Sequence, residues 1–184
     1  MVLAIAAEKN REVIQVDVNT AFLYASFEEE QEVLVEMAPG FVQFTKDGVR
    51  YVVDLHKSLY GHAQSSRNWW KTIDPKLFEI GFVPLKSDSC VYVYQHKGTT
   101  VTITLYVDDL LIIGCGITVI NGIKWKLMEK FKMRDLGNVS LVLGMPVIRD
   151  RAKGSLTTSQ ESYTESILER FGICLLYTSP SPRD

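Results

Sequence analysis

Between Val101 and Ile113 the chain sets an acidic pair, Asp108-Asp109, between two apolar stretches. Val101, Ile103, Leu105 and Val107 alternate with Thr102, Thr104, Tyr106 and Asp108, the period of a strand with one face in a core. Leu110 to Ile113 is apolar throughout, as in a strand covered on both faces. Aspartate favours bends. The segment therefore predicts a hairpin with two carboxylates at its turn, and a hairpin commits this part of the chain to an antiparallel sheet.

A second stretch ends in the same way. From Glu12 to Val18, Ile14, Val16 and Val18 fall on one side of a strand, with Gln15 and Asp17 on the other. If the two strands are neighbours, Asp17 and Asp108 project from one polar face near its end. Such a cluster offers hard oxygen ligands. Magnesium accepts one or two carboxylates and completes its shell with water and substrate phosphates. Two such ions suit in-line displacement at phosphorus. Asp108-Asp109 also reads as an ordinary turn and Asp17 as an ordinary polar strand residue; a catalytic pair on a hairpin is compatible with both.

The remaining pattern mixes helices with strands. Val2 to Glu8 is apolar and helical, and Ala21 to Gln31 reads as a turn and short helix. Glu32 to Met37 and Val49 to Leu55 read as strands. Ser65 to Ile80 has helical spacing but contains Pro75, which predicts a kink or two helices meeting at Asp74-Pro75; Gly81 ends it. Cys90 to Gln95 is a strand joined to the next by the turn His96-Lys97-Gly98. Thr118 to Phe131 carries an apolar helical stripe. Leu141 to Ile148 reads as one strand with Gly144 inside. Thr158 or Ser159 caps a last helix whose apolar face is Tyr163, Ile167, Leu168 and Phe171, ended by Gly172. The expected class is α+β, an antiparallel sheet with helices on one face. From Cys174 periodicity stops and two Ser-Pro steps appear. The expected organisation is one domain over residues 1–173 and a disordered tail over 174–184. No apolar run is long enough to cross a membrane.

Charge bears on partners. There are 20 basic and 22 acidic residues, a net charge of −2, whereas a chain that grips nucleic acid by its phosphates commonly shows a basic excess. Cys90, Cys115 and Cys174 form no C-x-x-C pair, and the three histidines have no neighbour at zinc-ligand spacing. Trp69-Trp70 reads as helical core or as a base-stacking platform.

Tyr106-Val107-Asp108-Asp109 resembles the Y-x-D-D hairpin of reverse transcriptases, and Gln15 to Leu23 resembles the first aspartate motif of the copia-type retrotransposon enzymes. Lys57-Ser58-Leu59-Tyr60-Gly61 with Gln64, Arg67 and Trp70, then Phe131 to Gly137, then Leu143-Gly144, resemble further segments of that family, in its order, over roughly residues 1–173. The resemblance implies a polymerase palm with partial fingers. It implies that Asp17 and Asp108 hold two Mg²⁺ ions (Mn²⁺ as a substitute), assisted by Asp109 and the Val18 carbonyl. It also implies that Phe22 walls off the sugar 2′ position, a residue that reads equally as core packing. Tyr60, Gly61 and Gln64 would line the nucleotide and template pocket, and Tyr106 would face the primer end. Implied partners are an RNA or DNA template with primer, deoxynucleoside triphosphates and the rest of a Pol polyprotein. The implied location is cytoplasmic, in a virus-like particle, or nuclear.

The chain departs from the family pattern at Asn19, Tyr24-Ala25, His62-Ala63 and Ser65-Ser66. The basic fingertip segment expected upstream is not in the sequence, so an N-terminally truncated domain is expected. Two functional readings follow: an RNA-directed DNA polymerase fragment using two-metal nucleotidyl transfer, or a catalytically inactive remnant of one.

Overall fold

The computed structural model describes residues 1–28, 31–96 and 98–173. The expected tail 174–184, residues 29–30 of an acidic run and Lys97 of an expected turn lie outside the described residues. In chain order the elements are α1 (Val2–Glu8), β1 (Glu12–Val18), a 3₁₀ turn (Ala21–Tyr24), β2 (Leu34–Glu36), β3 (Val52–Asp54), α2 (Ser65–Ile80), β4 (Val83–Leu85) and β5 (Asp88–His96). Then come β6 (Thr99–Tyr106), β7 (Asp109–Gly114), α3 (Ile117–Met128), β8 (Met133–Asn138), β9 (Leu141–Val142), β10 (Met145–Asp150), β11 (Ser155–Thr158) and α4 (Glu161–Arg170).

Among the described residues the main sheet has six strands in the order β4-β5-β6-β7-β1-β8, every neighbouring pair antiparallel. The β6–β7 hairpin lies where the alternation predicts it. Strand β1 is its direct neighbour, although the whole of α2 and four strands separate the two in sequence. Mixed helices and an antiparallel sheet make the class α+β, as expected.

The core explains this order. Ile14, Val16 and Val18 of β1, Val101, Ile103 and Leu105 of β6, and Leu110 and Ile112 of β7 meet Trp69, Ile73 and Leu77 of α2 and Ile120, Ile123 and Leu127 of α3. Each large side chain buried there contributes about 1.5–3 kcal/mol. Helix α2 is tied down at three points. Buried Tyr92 of β5 donates to Asp74 at 2.8 Å, Trp69 bonds the β6–β7 turn, and Gly81 closes the helix in the left-handed conformation (φ 106°), with Gly81 N–H donating to Phe78 and Phe82 N–H to Leu77.

Several expectations change. Helices do not all lie on one face. Ala6, Val2 and Leu3 of α1 cover Val13, Leu111 and Ile113 on the opposite face, because β1 and β7 carry apolar residues on both sides at that end. Helix α2 runs unbroken through Pro75, so the two-helix alternative is wrong. Of the turn and short helix expected within Ala21 to Gln31, the described residues show a 3₁₀ turn at Ala21–Tyr24. The single strand over Leu141 to Ile148 is instead the hairpin β9–β10, with Val142 opposite Met145. Its turn residues Leu143 (φ 51°) and Gly144 (φ 77°) both have positive φ, as a two-residue type I′ turn requires. Strands β4, β8 and β11 were not expected. Met133–Asn138 contains Asp, Gly and Asn, poor strand formers, yet forms the polar edge beside β1. The expected apolar face of α4 has no buried residue, and Tyr163 and Phe171 are exposed. No helix among the described residues is long and apolar enough to cross a membrane.

Candidate active site

The pairing register builds a row of side chains across the sheet. Asp17 pairs with Asp109 of β7 on one side and with Arg134 of β8 on the other, and Asp109 pairs in turn with Tyr106 of β6. Directly paired residues in antiparallel strands share a face. The row is therefore Tyr106, Asp109, Asp17, Arg134, on the face opposite α2 and α3.

Asp108 stands at the end of this row, in the two-residue turn it makes with Val107. That turn is strained. Val107 has φ 55°, a left-handed conformation that a β-branched residue rarely adopts. Two bonds from elsewhere hold it. The Trp69 indole N–H donates to the Val107 carbonyl at 2.5 Å, and the Val18 N–H donates to the Asp108 carbonyl at 2.9 Å. The acidic turn is thus fastened to α2 behind it and to β1 beside it. Local strain persists only where surrounding structure over-determines it.

The electrostatics follow. Burial, then the Asp108 and Asp109 carboxylates, push the Asp17 carboxyl above its ordinary value, while Arg134 opposes them. Tyr60 donates to Asp108 Oδ2 at 3.5 Å, the limit of a hydrogen bond, and burial followed by the Asp108 charge pushes its phenol up. The Phe22 ring, buried, lies 4.6 Å from that of Tyr60. Phe22 is therefore both a core residue and the wall on which Tyr60 rests.

The other expected site residues divide. Gly61 follows Tyr60 with φ 93° and open space where a side chain would start. Tyr106 is exposed at 61% in the carboxylate row. Gln64 is not bonded to the row; it accepts a bond from Gln31 at 2.6 Å. Val18 sits at the end of β1, next to Asp17 in the chain. Three residues to which the sequence assigned no role at the carboxylates also bear on the site. Buried Gln15 donates to Asp109 Oδ1 at 3.2 Å. Arg134 flanks Asp17, and Trp69 fixes the turn. Period-two spacing already put Gln15 on the face of Asp17, a signal that could have found it. Arg134 carried none until β8 was known.

Among the described residues no three His, Cys, Asp or Glu side chains gather tightly enough to form a metal cage. The donor set nevertheless fits a hard divalent cation. The carboxylates are adjacent, and the Asp17 carboxyl is raised by burial and by its two acidic neighbours. Mg²⁺ needs few protein oxygens when water and phosphate supply the rest.

The family model described as reverse transcriptase (RNA-dependent DNA polymerase) matches residues 1–183. The chain is 38% identical over 173 residues to the retrovirus-related Pol polyprotein from transposon TNT 1-94 of Nicotiana tabacum, covering 94% of this chain and 13% of that protein. It is 33% identical over 170 residues to the Pol polyprotein from transposon RE1 of Arabidopsis thaliana, covering 92% and 11%. It is 30% identical over 177 residues to the transposon TyH3 Gag-Pol polyprotein of Saccharomyces cerevisiae, covering 90% and 9%. The chain thus spans a small part of each relative's length. No solved structure matches it. The chain belongs to the reverse transcriptase (RNA-dependent DNA polymerase) family, in the copia-type form of retrotransposon Pol polyproteins.

Proposed function

We propose that this chain is the palm, with part of the fingers, of an RNA-directed DNA polymerase, and that its carboxylate row is the nucleotidyl-transfer centre. The observation that carries the reading is the register that sets Asp17 opposite Asp109, with Asp108 in the adjoining turn. Asp17 and Asp108 would hold Mg²⁺, or Mn²⁺ in its place, with Asp109 and the Val18 carbonyl assisting. When bound, the ions would supply Lewis-acid activation of a primer 3′-hydroxyl and charge relief for departing pyrophosphate.

The protein's own work is positioning. Trp69 and Val18 hold the Asp108 turn, Gln15 orients Asp109, and Phe22 backs Tyr60 where a nucleotide sugar would lie. Gly61 keeps the backbone beside Tyr60 open, Gln64 lines the template side, and Tyr106 faces the primer end. The partners are an RNA or DNA template with primer, deoxynucleoside triphosphates and the rest of the Pol polyprotein. A polymerase of this kind works in a virus-like particle or the nucleus.

Net charge −2 and the departure from the family pattern at Asn19 favour a second reading, a folded but inactive remnant. Two measurements separate them. Mg²⁺ or Mn²⁺ titrated calorimetrically into the purified chain should bind, and Asp17→Asn or Asp108→Asn should remove the binding. Primer extension that disappears in Asp108→Asn supports the polymerase and eliminates the remnant. Extension unchanged in that variant refutes the assignment of the centre.

A further inference from the structure

A cavity of about 400 Å³ opens at the end of β1 away from Asp17, lined by Arg11, Val13, Asn138, Arg149, Arg151 and Leu156 among others. Arg11 lies six residues before Asp17, so the cavity is roughly 20 Å from the carboxylate row at ~3.3 Å per residue. Three guanidinium groups on two separate parts of the chain meet here. Their bonds are only partly accounted for. Arg149 Nη2 donates to Ala6 O and Ala7 O, both at 3.3 Å, and to Asn10 Oδ1 at 3.2 Å, so this nitrogen caps the end of α1. Arg151 bonds Asn10 and pairs with Glu12. Arg11 Nη1 reaches Thr100 O at 3.4 Å. Arg149 Nε, Arg149 Nη1 and Arg11 Nε are buried with no partner among the described residues.

Buried donors are normally satisfied, and those on a charged group cost most when they are not. Glu12 is the acid bonded within this group, and it engages Arg151, leaving Arg11 and Arg149 without a carboxylate. We infer that this cavity is a phosphate site, in which a tetrahedral oxyanion is held between Arg11 and Arg149, with Arg151 at its side. Arginine suits phosphate through its fixed fork of donors. The site is separate from the carboxylate row and does not depend on that row's chemistry. The phosphate is either free or part of a nucleic-acid strand.

The test uses the 184-residue chain in EDTA, so that metal at the carboxylates recruits no phosphate. Inorganic phosphate is titrated calorimetrically. A short single-stranded oligonucleotide, with and without a 5′-phosphate, is titrated by fluorescence anisotropy. Arg11→Gln should weaken binding roughly tenfold, as expected for one charge-assisted contact. Arg149→Lys should weaken it while the circular dichroism spectrum stays unchanged. Glu12→Gln should strengthen it by freeing Arg151, a change that unfolding would not mimic. A loss confined to the oligonucleotide assigns a strand phosphate, and a loss with inorganic phosphate as well assigns a free oxyanion. Binding of both probes unaltered by Arg11→Gln and Glu12→Gln overturns the site.

Discussion

Asp17 and Asp109 face one another across the β1–β7 pairing, on the side of the sheet that α2 and α3 leave open. Two like charges so placed destabilise the fold until something neutralises them. Burial and these neighbours hold the Asp17 carboxyl above 3.8. Folding therefore favours its protonated form. That contribution is fully present below about pH 3.8 and is lost as pH rises through the higher folded value. In metal-free buffer at pH 7, Asp17→Asn should stabilise the protein by a few tenths to about 1 kcal/mol, given solvent screening of a half-buried group. The gain should vanish near pH 3. Urea unfolding at both pH values checks this, and a variant less stable than the parent at pH 7 would contradict it.

Removing the indole donor should loosen the acidic turn. Trp69→Phe keeps most of the buried ring but leaves the Val107 carbonyl without its bond. An orphaned buried acceptor costs about 1–3 kcal/mol. The expected result is a lower urea midpoint at unchanged slope. An unchanged midpoint would mean that the bond does not restrain the turn.

Gln15→Leu separates orientation from stability. Gln15 is buried and its amide serves Asp109. An apolar side chain of similar size should fit, with stability changed by less than ~1 kcal/mol, because half-exposed Asp109 can regain water. Freed from its donor, Asp109 should alter the half-saturating Mg²⁺ concentration by several-fold. A titration curve that overlays the parent's would remove Gln15 from the site.

Gly61→Ala isolates a backbone effect. The position has φ 93° and nothing within 4 Å of an added methyl. Any cost is conformational, about 1–2 kcal/mol for a left-handed alanine. Thermal and urea unfolding should both report it. A neutral result would mean that the loop relaxes.

The strands of the acidic hairpin were legible because their apolar residues alternate or run unbroken, and alternation alone put Asp17 and Gln15 on one face. Their neighbour relationship was not legible, since periodicity fixes faces but not which strands pair. Strand β8 escaped notice because an edge strand needs few apolar residues, and with it went Arg134. The β9–β10 hairpin escaped because Leu143 adopts positive φ, a conformation that leucine does not advertise. Pro75 failed to break α2 because Trp69, Ile73, Leu77 and the Tyr92–Asp74 bond anchor the helix on both sides of it.

The indole of Trp69 belongs at once to the hydrophobic interior and to the turn that carries Asp108. Substitutions that shift α2 by a fraction of an ångström should therefore be transmitted to the acidic tip through a single side chain. Harmful changes in a copy of this element need not cluster at its carboxylates; the far side of the sheet is as vulnerable.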